Sequence, residues 1–445
     1  MRSERDVMNL LEDWLADGAQ PMPDHILETV SETIPQVHQV RPRAFDRRMP
    51  RALVATAVAA AVIAAIIAGP EILLRLRGTD RFLPAAAPPQ VRLCDTPTFR
   101  APLTIDTLQT GVGPMHVTTG DFNGDGATDF VVANELDGAG TLGVVLGRGD
   151  GTFGEPTRFA SGRAWFVAAA DVNEDGSLDL VGASPAEGSV AVLIGDGLGG
   201  FAEPRYFPAG DEPRSLVVGR LNGDQSLDLA VAATGSNAIA ILYGDGRGGF
   251  SGPEQVATSG TPSSVIAADF NGDGHNDLAI AMSEAQDLEV LLGDAEGGYG
   301  VPRLFPANFP ASVTAGDVDR DGRIDLVTGN PGMAGVAVLI GDGLGSFGVA
   351  QFLPLGEGHT PGPVIVARLD DDLVPDVAAS DFTDDNVVLF RGEGGGRFAL
   401  TELIKVPNGP LGMASGDFDG DGRTDLVTSD ANANSATVLL NGCGG

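Results

Sequence analysis

The chain is poor in the residues that most recognition and catalytic chemistry uses. Its 445 residues include one lysine, two cysteines, two tryptophans, three tyrosines and five histidines. The net charge of -34 disfavours nucleic-acid binding, because the phosphate backbone repels an acidic surface. We find no nucleophile–base arrangement in the sequence and predict that the protein is not an enzyme.

Acidic residues and glycine are abundant, and they follow a repeat. A nine-residue cassette, Asp-x-Asn/Asp-x-Asp-Gly-x-x-Asp, begins at Asp121, Asp171, Asp269, Asp317 and Asp417. Two altered copies begin at Arg220 and Arg368. Successive starts lie 48–51 residues apart. Seven units of one length predict a closed ring of repeats.

Each full cassette offers the oxygen ligands that Ca²⁺ prefers. Clustered carboxylates also repel one another unless a cation lies among them. The cassettes therefore predict about five structural calcium ions, and an Asx-rich turn without metal is the alternative. The predicted ligands are Asp121, Asn123, Asp125, Asp129, Asp171, Asn173, Asp175, Asp179, Asp269, Asn271, Asp273, Asp277, Asp317, Asp319, Asp321, Asp325, Asp417, Asp419, Asp421 and Asp425.

The altered copies lack the first ligand and the glycine at position six. Gln225 and Leu373 stand in place of that glycine. We expect the guanidinium of Arg220 or Arg368 to lie among the remaining carboxylates and to replace the metal. Those carboxylates are Asp224 and Asp228 in the first altered copy, and Asp370, Asp372 and Asp376 in the second. The third and sixth repeat units are thus predicted to be free of metal.

Short apolar segments flank every cassette. A segment introduced by proline precedes it in six units, and segments such as "LAVAA", "VAVLIG" and "FAEPRYF" follow. Four short strands in a unit of about 49 residues are typical of a propeller blade. The sequence predicts an all-β fold, a seven-bladed β-propeller over residues 94–445.

One unit, "FPASVTAGDVDRDGRIDLVTGN", resembles an FG-GAP repeat, also called a VCBS-type repeat. Such repeats form the calcium-binding blades of the integrin α-subunit propeller and of many bacterial surface proteins. The resemblance covers about residues 94–445 and weakens at cassettes three and six. It implies seven blades with Ca²⁺ in loops on one rim. It does not imply one activity, because such propellers serve many functions.

The last unit ends without an outer strand, and "CDTPTFRAPLTI" ahead of the first blade fits as the missing strand. Aligning Phe99 with Tyr299 of blade four brings Cys94 and Cys443 together. We predict a disulfide between them that closes the ring, which requires an oxidising compartment. Two unrelated free thiols are the alternative.

The N-terminal part has a different composition. Residues 1–50 predict two short helices and resemble the cytoplasmic heads of some bacterial anti-sigma-like and sensor proteins. Residues 51–74 contain an uncharged apolar run and predict one transmembrane signal-anchor helix. Arginines on both sides favour a single-pass protein in the cell membrane with the propeller outside the cytoplasm. A cleaved signal peptide is the alternative to the anchor. Residues 75–93 are predicted to form a proline-rich stalk.

Side chains just ahead of the cassettes predict a ligand site where the inner strands enter the central channel. The distinctive ones are Met115, His116, Trp165, Phe166 and Arg214. Core packing is the alternative for them. The main functional hypothesis is a monomeric surface module that binds a protein or a glycan. A transmembrane sensor signalling through residues 1–50 and a propeller enzyme such as a polysaccharide lyase are the alternatives.

Overall fold

A computed structural model of the protein describes residues 96–107, 111–136, 138 and 140–442. These residues form seven antiparallel sheets of four strands each. The inner strands of neighbouring sheets contact one another in an unbroken cycle, which confirms the all-β, seven-bladed propeller. The predicted N-terminal helices, the predicted membrane segment, Cys94 and Cys443 lie outside the described residues. Within the described part of the chain, no helix is long and apolar enough to cross a membrane.

The strands are numbered in chain order. The inner strands are β2 Pro114–Gly120, β6 Phe166–Ala170, β10 Pro213–Gly219, β14 Pro262–Ala268, β18 Ser312–Gly316, β22 Pro361–Ala367 and β26 Pro410–Gly416. The second strands are β3 Asp129–Asn134, β7 Asp179–Ser184, β11 Asp228–Ala233, β15 Asp277–Met282, β19 Asp325–Asn330, β23 Asp376–Asp381 and β27 Asp425–Asp430. Every second strand therefore begins at the ninth residue of a cassette.

The two remaining layers complete each blade. The third strands are β4 Thr141–Val145, β8 Ser189–Leu193, β12 Ala238–Gly244, β16 Asp287–Leu291, β20 Gly335–Leu339, β24 Asn386–Gly394 and β28 Ser435–Leu439. The outer strands are β5 Thr157–Ala160, β9 Arg205–Pro208, β13 Phe250–Ala257, β17 Arg303–Pro306, β21 Gln351–Pro354, β25 Arg397–Lys405 and β1 Leu103–Asp106. Short 3-10 turns cover Thr234–Ser236 and Pro331–Met333.

The hydrophobic core lies between the blades. All six residues of β3 are buried, as expected for a short apolar strand covered on both faces. Seven buried clusters are present in the described residues, and each joins two adjacent blades. Val131 of blade one, for example, packs in one cluster with Leu180 of blade two. The packing that holds the ring together is therefore divided among seven similar interfaces.

The ring closes through strand β1, which pairs antiparallel with β28 of the last blade. Leu103 lies opposite Val438, and Asp106 lies opposite Ser435. The pairing extends to a bridge between Phe99 and Asn441. We call this β1–β28 pairing the seam. It joins the two ends of the described propeller through hydrogen bonds, as the missing outer strand of the last repeat predicts.

The last blade also contains a buried carboxylate, Asp430, at the end of β27. It accepts hydrogen bonds from the hydroxyls of Thr428, Ser435 and Thr437 at 2.8, 3.0 and 2.6 Å. Burial raises the pKa of Asp430 from its ordinary value of 3.8 to about 6. Between these two values the folded chain keeps a proton that the unfolded chain has released.

We therefore expect Asp430→Asn to reduce the pH dependence of stability in a calcium-free buffer. The stability from this proton is present below the unfolded pKa and is lost as the pH rises through about 6. Its size is at most about 3 kcal/mol, from a shift of roughly two pKa units. Urea unfolding near pH 4 and near pH 7 measures it. An Asn variant that loses as much stability as the parent between these pH values would contradict the assignment.

Candidate functional site

The five full cassettes share one backbone path. The residue at position six is a glycine with positive φ in each copy: Gly126, Gly176, Gly274, Gly322 and Gly422. Position four also has positive φ in all five, even where it is Glu174 or Arg320. Neither position has positive φ in the altered copies. The loop conformation thus separates five copies from two, in agreement with the ligand pattern.

Hydrogen bonds within the first loop hold its side chains in place. The Asp121 carboxylate accepts the backbone N–H groups of Gly124 at 2.7 Å and Gly126 at 2.9 Å. Asn123 Oδ1 accepts the N–H of Asp125, and Asp125 Oδ1 accepts that of Ala127. The bond from position six to the first aspartate recurs in all five full loops. These bonds fold the loop into consecutive Asx turns.

The donor set of these loops fits Ca²⁺. In the fourth full loop, one oxygen each from Asp317, Asp319 and Asp325 lies within 4.8 Å of the others, and the last full loop repeats this arrangement. Ligand oxygens 2.3–2.6 Å from a calcium ion lie at most about 5 Å apart, so one ion can contact all three. In the first three full loops the third residue is Asn, which also offers an oxygen. The residues present therefore match a hard cation.

The ninth aspartate has a second role in all seven copies. Asp129 Oδ2 accepts the backbone N–H of Phe122 at 2.8 Å, and Oδ1 accepts that of Gly147 at 2.7 Å. The same pair of bonds is made by Asp179, Asp228, Asp277, Asp325, Asp376 and Asp425. We call this contact the carboxylate bracket. It joins the start of the cassette to the end of the third strand, both in the five full cassettes and in the two altered ones.

The predicted arginine substitution for metal is wrong. Arg220 Nε donates to the backbone carbonyl of Gln225 at 3.0 Å, and Arg368 is exposed. Among the described residues, neither arginine forms an ion pair with a loop carboxylate. Arg423 of blade seven reaches Asp371 of blade six at 3.4 Å instead. The absence of metal from blades three and six remains a prediction.

The predicted ligand residues come together around a central cavity of about 980 Å³, which the inner strands of all seven blades surround. The cavity is lined by all five of them: Met115, His116, Trp165, Phe166 and Arg214. Strand β2 runs from this cavity to the first cassette. Seven residues at about 3.3 Å each span roughly 20 Å, so the cavity and the cassette loops lie on opposite faces.

Aromatic contacts organise one wall of the cavity. His116 stacks on Phe166 with ring centres 3.8 Å apart. The Arg214 guanidinium lies over the Trp165 ring at 5.3 Å and pairs with Glu212 at 3.6 Å. Burial lowers the pKa of His116 to about 4, so this imidazole is neutral at neutral pH. This wall is aromatic, and its single arginine is already paired with Glu212.

Hydroxyl groups line the wall opposite. They include those of Ser263, Ser264, Ser283 and Ser312 in blades four and five, whereas Ser215 lies beside Arg214 in blade three. Ser263 Oγ donates to the carbonyl of Ala311 at 3.0 Å, and Ser312 Oγ donates to that of Gly362 at 2.7 Å. Ser312 Oγ also accepts the N–H of Gly329 at 3.3 Å, and Ser264 Oγ accepts that of Val313 at 3.4 Å. Sequence reasoning also missed Glu284 and Phe382, which line the same cavity and come from turns after the second strands.

Comparisons with solved structures agree on the fold. An Agrocybe aegerita lectin that recognises non-reducing terminal N-acetylglucosamine is 18% identical, with a TM-score of 0.50, and the match covers 74% of this chain and 86% of that one. Virginiamycin B lyase from Staphylococcus aureus is 12% identical, with a TM-score of 0.53, covering 77% and 99%. A putative 6-phosphogluconolactonase from Bacteroides uniformis is 14% identical, with a TM-score of 0.53, covering 67% and 87%. At these identities the likeness concerns architecture alone.

The repeats themselves carry the family assignment. No curated protein matches the sequence. FG-GAP-like repeats match residues 121–182, 171–231, 220–280, 269–328 and 368–428, which together make up more than half of the chain. Each matched segment runs from the start of one cassette through the whole of the next and three residues into the strand after it, so the cassettes and the strands between them define the repeat. The chain belongs to the family of FG-GAP-like repeat proteins.

Proposed function

We propose that the protein is a calcium-stabilised binding module that takes a neutral glycan into its central cavity. The observation that carries the proposal is the pairing of two unlike walls in one cavity. Trp165, Phe166 and His116 contribute aromatic rings to one side of the lining, and serines of blades four and five contribute hydroxyls to the other. Sugar rings offer apolar C–H faces to the first and hydroxyl groups to the second. Mainly apolar pockets with a few placed polar groups are typical of small-ligand sites.

The charges in the cavity favour an uncharged ligand. Arg214 is the only arginine or lysine among its lining residues, and Glu212 pairs with it. Glu284 is a second carboxylate in the lining, and no second arginine or lysine lines the cavity to pair with it. An anionic ligand would therefore meet a net negative site on a strongly acidic chain. A neutral sugar meets no such penalty.

Calcium and membrane attachment complete the proposal. The five full cassettes lie on the face opposite the cavity, which supports a structural role for the ions. The predicted anchor, residues 51–74, lies outside the described residues and rests on the sequence alone. If it spans the membrane as predicted, the propeller is displayed outside the cytoplasm.

A glycan array with the calcium-loaded protein tests the function, followed by calorimetry on any ligand found. We expect Trp165→Ala to weaken binding by at least roughly tenfold, because a stacked aromatic anchor is a typical hot spot. Tyr206→Ala is the matched control, since Tyr206 is a half-exposed aromatic on an outer strand. Its affinity should equal that of the parent.

Two outcomes would count against the proposal. One is an array on which the calcium-loaded protein binds no glycan. The other is a Trp165→Ala variant that binds as tightly as the parent. Turnover of a bound glycan would instead favour the lyase alternative, and a cytoplasmic partner captured by residues 1–50 would favour the sensor.

A further inference from the structure

A group of metal-ligand side chains lies at the cavity rim, on the face away from the cassettes. His359 precedes β22, Asp381 is the last residue of β23, and Asp384 lies in the turn after it. His359 Nδ1 is 2.5 Å from Asp381 Oδ2 and 3.3 Å from Asp384 Oδ2. One ligand atom from each residue lies within 4.8 Å of the other two. We call this group the rim cluster.

The charges of the rim cluster do not balance. Two carboxylates converge on a single imidazole nitrogen, which can supply one proton and one positive charge at most. Asp381 is fully buried, and its other oxygen accepts the N–H of Thr360 at 2.9 Å. Lys405 lies nearby but donates to the backbone carbonyl of Asp384. A divalent cation between the carboxylates would remove the repulsion.

The fold itself does not require this group. Positions equivalent to Asp381, at the ends of the other second strands, hold Asn134, Ser184, Ala233, Met282, Asn330 and Asp430. Asp430, the other carboxylate in this set, is satisfied by three neutral hydroxyls. Among these equivalent positions in the described residues, Asp381 alone has a histidine and a second aspartate against its carboxylate. The cluster is therefore a feature of this blade and is not required by the propeller architecture.

We propose that His359, Asp381 and Asp384 bind a divalent transition metal, with Zn²⁺ as the best match. Zinc accepts one imidazole nitrogen with carboxylate oxygens, and three protein ligands leave a coordination position open. Calcium is a poor match, because it takes oxygen ligands only. Thr360 and Phe382, the chain neighbours of two of the ligands, line the central cavity. The open position therefore lies close to the space where a ligand enters, although the metal site does not depend on that ligand being a glycan.

Metal titration of the full-length chain, purified without a histidine tag and kept in excess Ca²⁺, tests the proposal. Zn²⁺ is followed by calorimetry, and Co²⁺ is followed by its visible absorption. We expect the parent to bind one more equivalent of either metal than His359→Gln. Asp384→Asn should weaken the same site by at least roughly tenfold, as expected when a ligand of a three-residue site is removed. Because Asp384 is half exposed, this second variant should fold even if the first does not.

His275→Gln is the matched control. His275 is a half-buried histidine at position seven of the third full cassette, so this substitution removes an imidazole on the face that carries the cassettes. Its zinc stoichiometry should equal that of the parent. Equal stoichiometry and affinity in the parent, His359→Gln and Asp384→Asn would overturn the proposal. So would a parent that takes up no Zn²⁺, which would leave His359 and Asp381 as a hydrogen-bonded pair only.

Discussion

Chelation of calcium is expected to lower the melting temperature of the propeller substantially, and Asp273→Ala to reproduce part of that loss. A metal that binds only the folded chain stabilises it by about 2.7 kcal/mol per site at a hundredfold excess over Kd. With five full loops, the total is large beside the usual stability of a domain. Thermal unfolding at increasing free Ca²⁺ measures the effect, and metal analysis should find five ions per chain.

An altered loop provides the matched control for Asp273. Asp273 accepts hydrogen bonds from the His275 N–H and the Asn271 side chain, at 2.9 Å each. Asp224 makes the same two contacts in blade three, at 2.9 Å to Ser226 and 3.1 Å to Asn222. Both alanine variants therefore lose the same hydrogen bonds, but only one is predicted to lose a calcium ligand. Asp273→Ala should melt lower than Asp224→Ala in Ca²⁺, and the two should converge in chelator.

A propeller with no calcium dependence of its melting temperature would contradict the metal assignment. So would equal losses in the two variants at saturating Ca²⁺. Loss of ligand binding without a change in the melting curve would show that calcium acts in recognition instead.

Ile105→Pro is expected to open the ring. Ile105 lies in β1 opposite Ala436 and packs against the cluster between blades seven and one. Proline lacks the N–H that a paired strand supplies and is poorly tolerated there. Backbone hydrogen bonds, packing and the nearby Arg100–Asp419 ion pair hold the β1 segment to the last blade, so its release removes the strand that links blade seven back to blade one. A loss of about 3 kcal/mol corresponds to roughly 4 °C in melting temperature for a domain of this size.

Phe305→Pro is the control for the seam. Phe305 holds the equivalent place in blade four, opposite Leu288, and packs in the cluster between blades four and five. Its strand stays covalently connected to the blades on both sides. If ring closure stabilises the propeller, Ile105→Pro will lower the melting temperature more than Phe305→Pro does, although Ile105 is the smaller side chain. Limited proteolysis should then cut the seam variant first in blade seven. A larger loss of thermal stability in Phe305→Pro would show that ring closure at the seam adds no stability beyond that of an ordinary outer strand.

The propeller could be predicted because each blade is encoded locally and repeated. Seven cassettes spaced 48–51 residues apart indicate seven blades. The outer strand that the last repeat lacks indicates that the segment ahead of the first blade closes the ring. The cavity residues were also accessible to prediction, since equivalent positions of all repeats face the same channel. Repetition converts a long-range problem into a comparison of short segments.

What the sequence could not show are directions and long-range contacts of single side chains. A position in a loop does not reveal which atoms its side chain meets, and neither Arg220 nor Arg368 forms an ion pair with a loop carboxylate among the described residues. His359 meets Asp381 across 22 residues of sequence, which no local pattern indicates. The carboxylate bracket did leave a signal, because Asp228 and Asp376 persist where the metal motif is lost.

The seam also places the two ends of the described propeller side by side. Gly442 donates its N–H to the carbonyl of Thr98 at 2.7 Å, and Arg100 donates to Leu440 at 2.8 Å. Adjacent termini on a surface blade are the condition under which circular permutation is tolerated. A short linker between these ends, with a new start in any loop between blades, would move the hydrogen-bonded closure to another blade. The order of blades around the ring would be unchanged, so the blade at which the chain starts is a matter of connectivity and not of architecture.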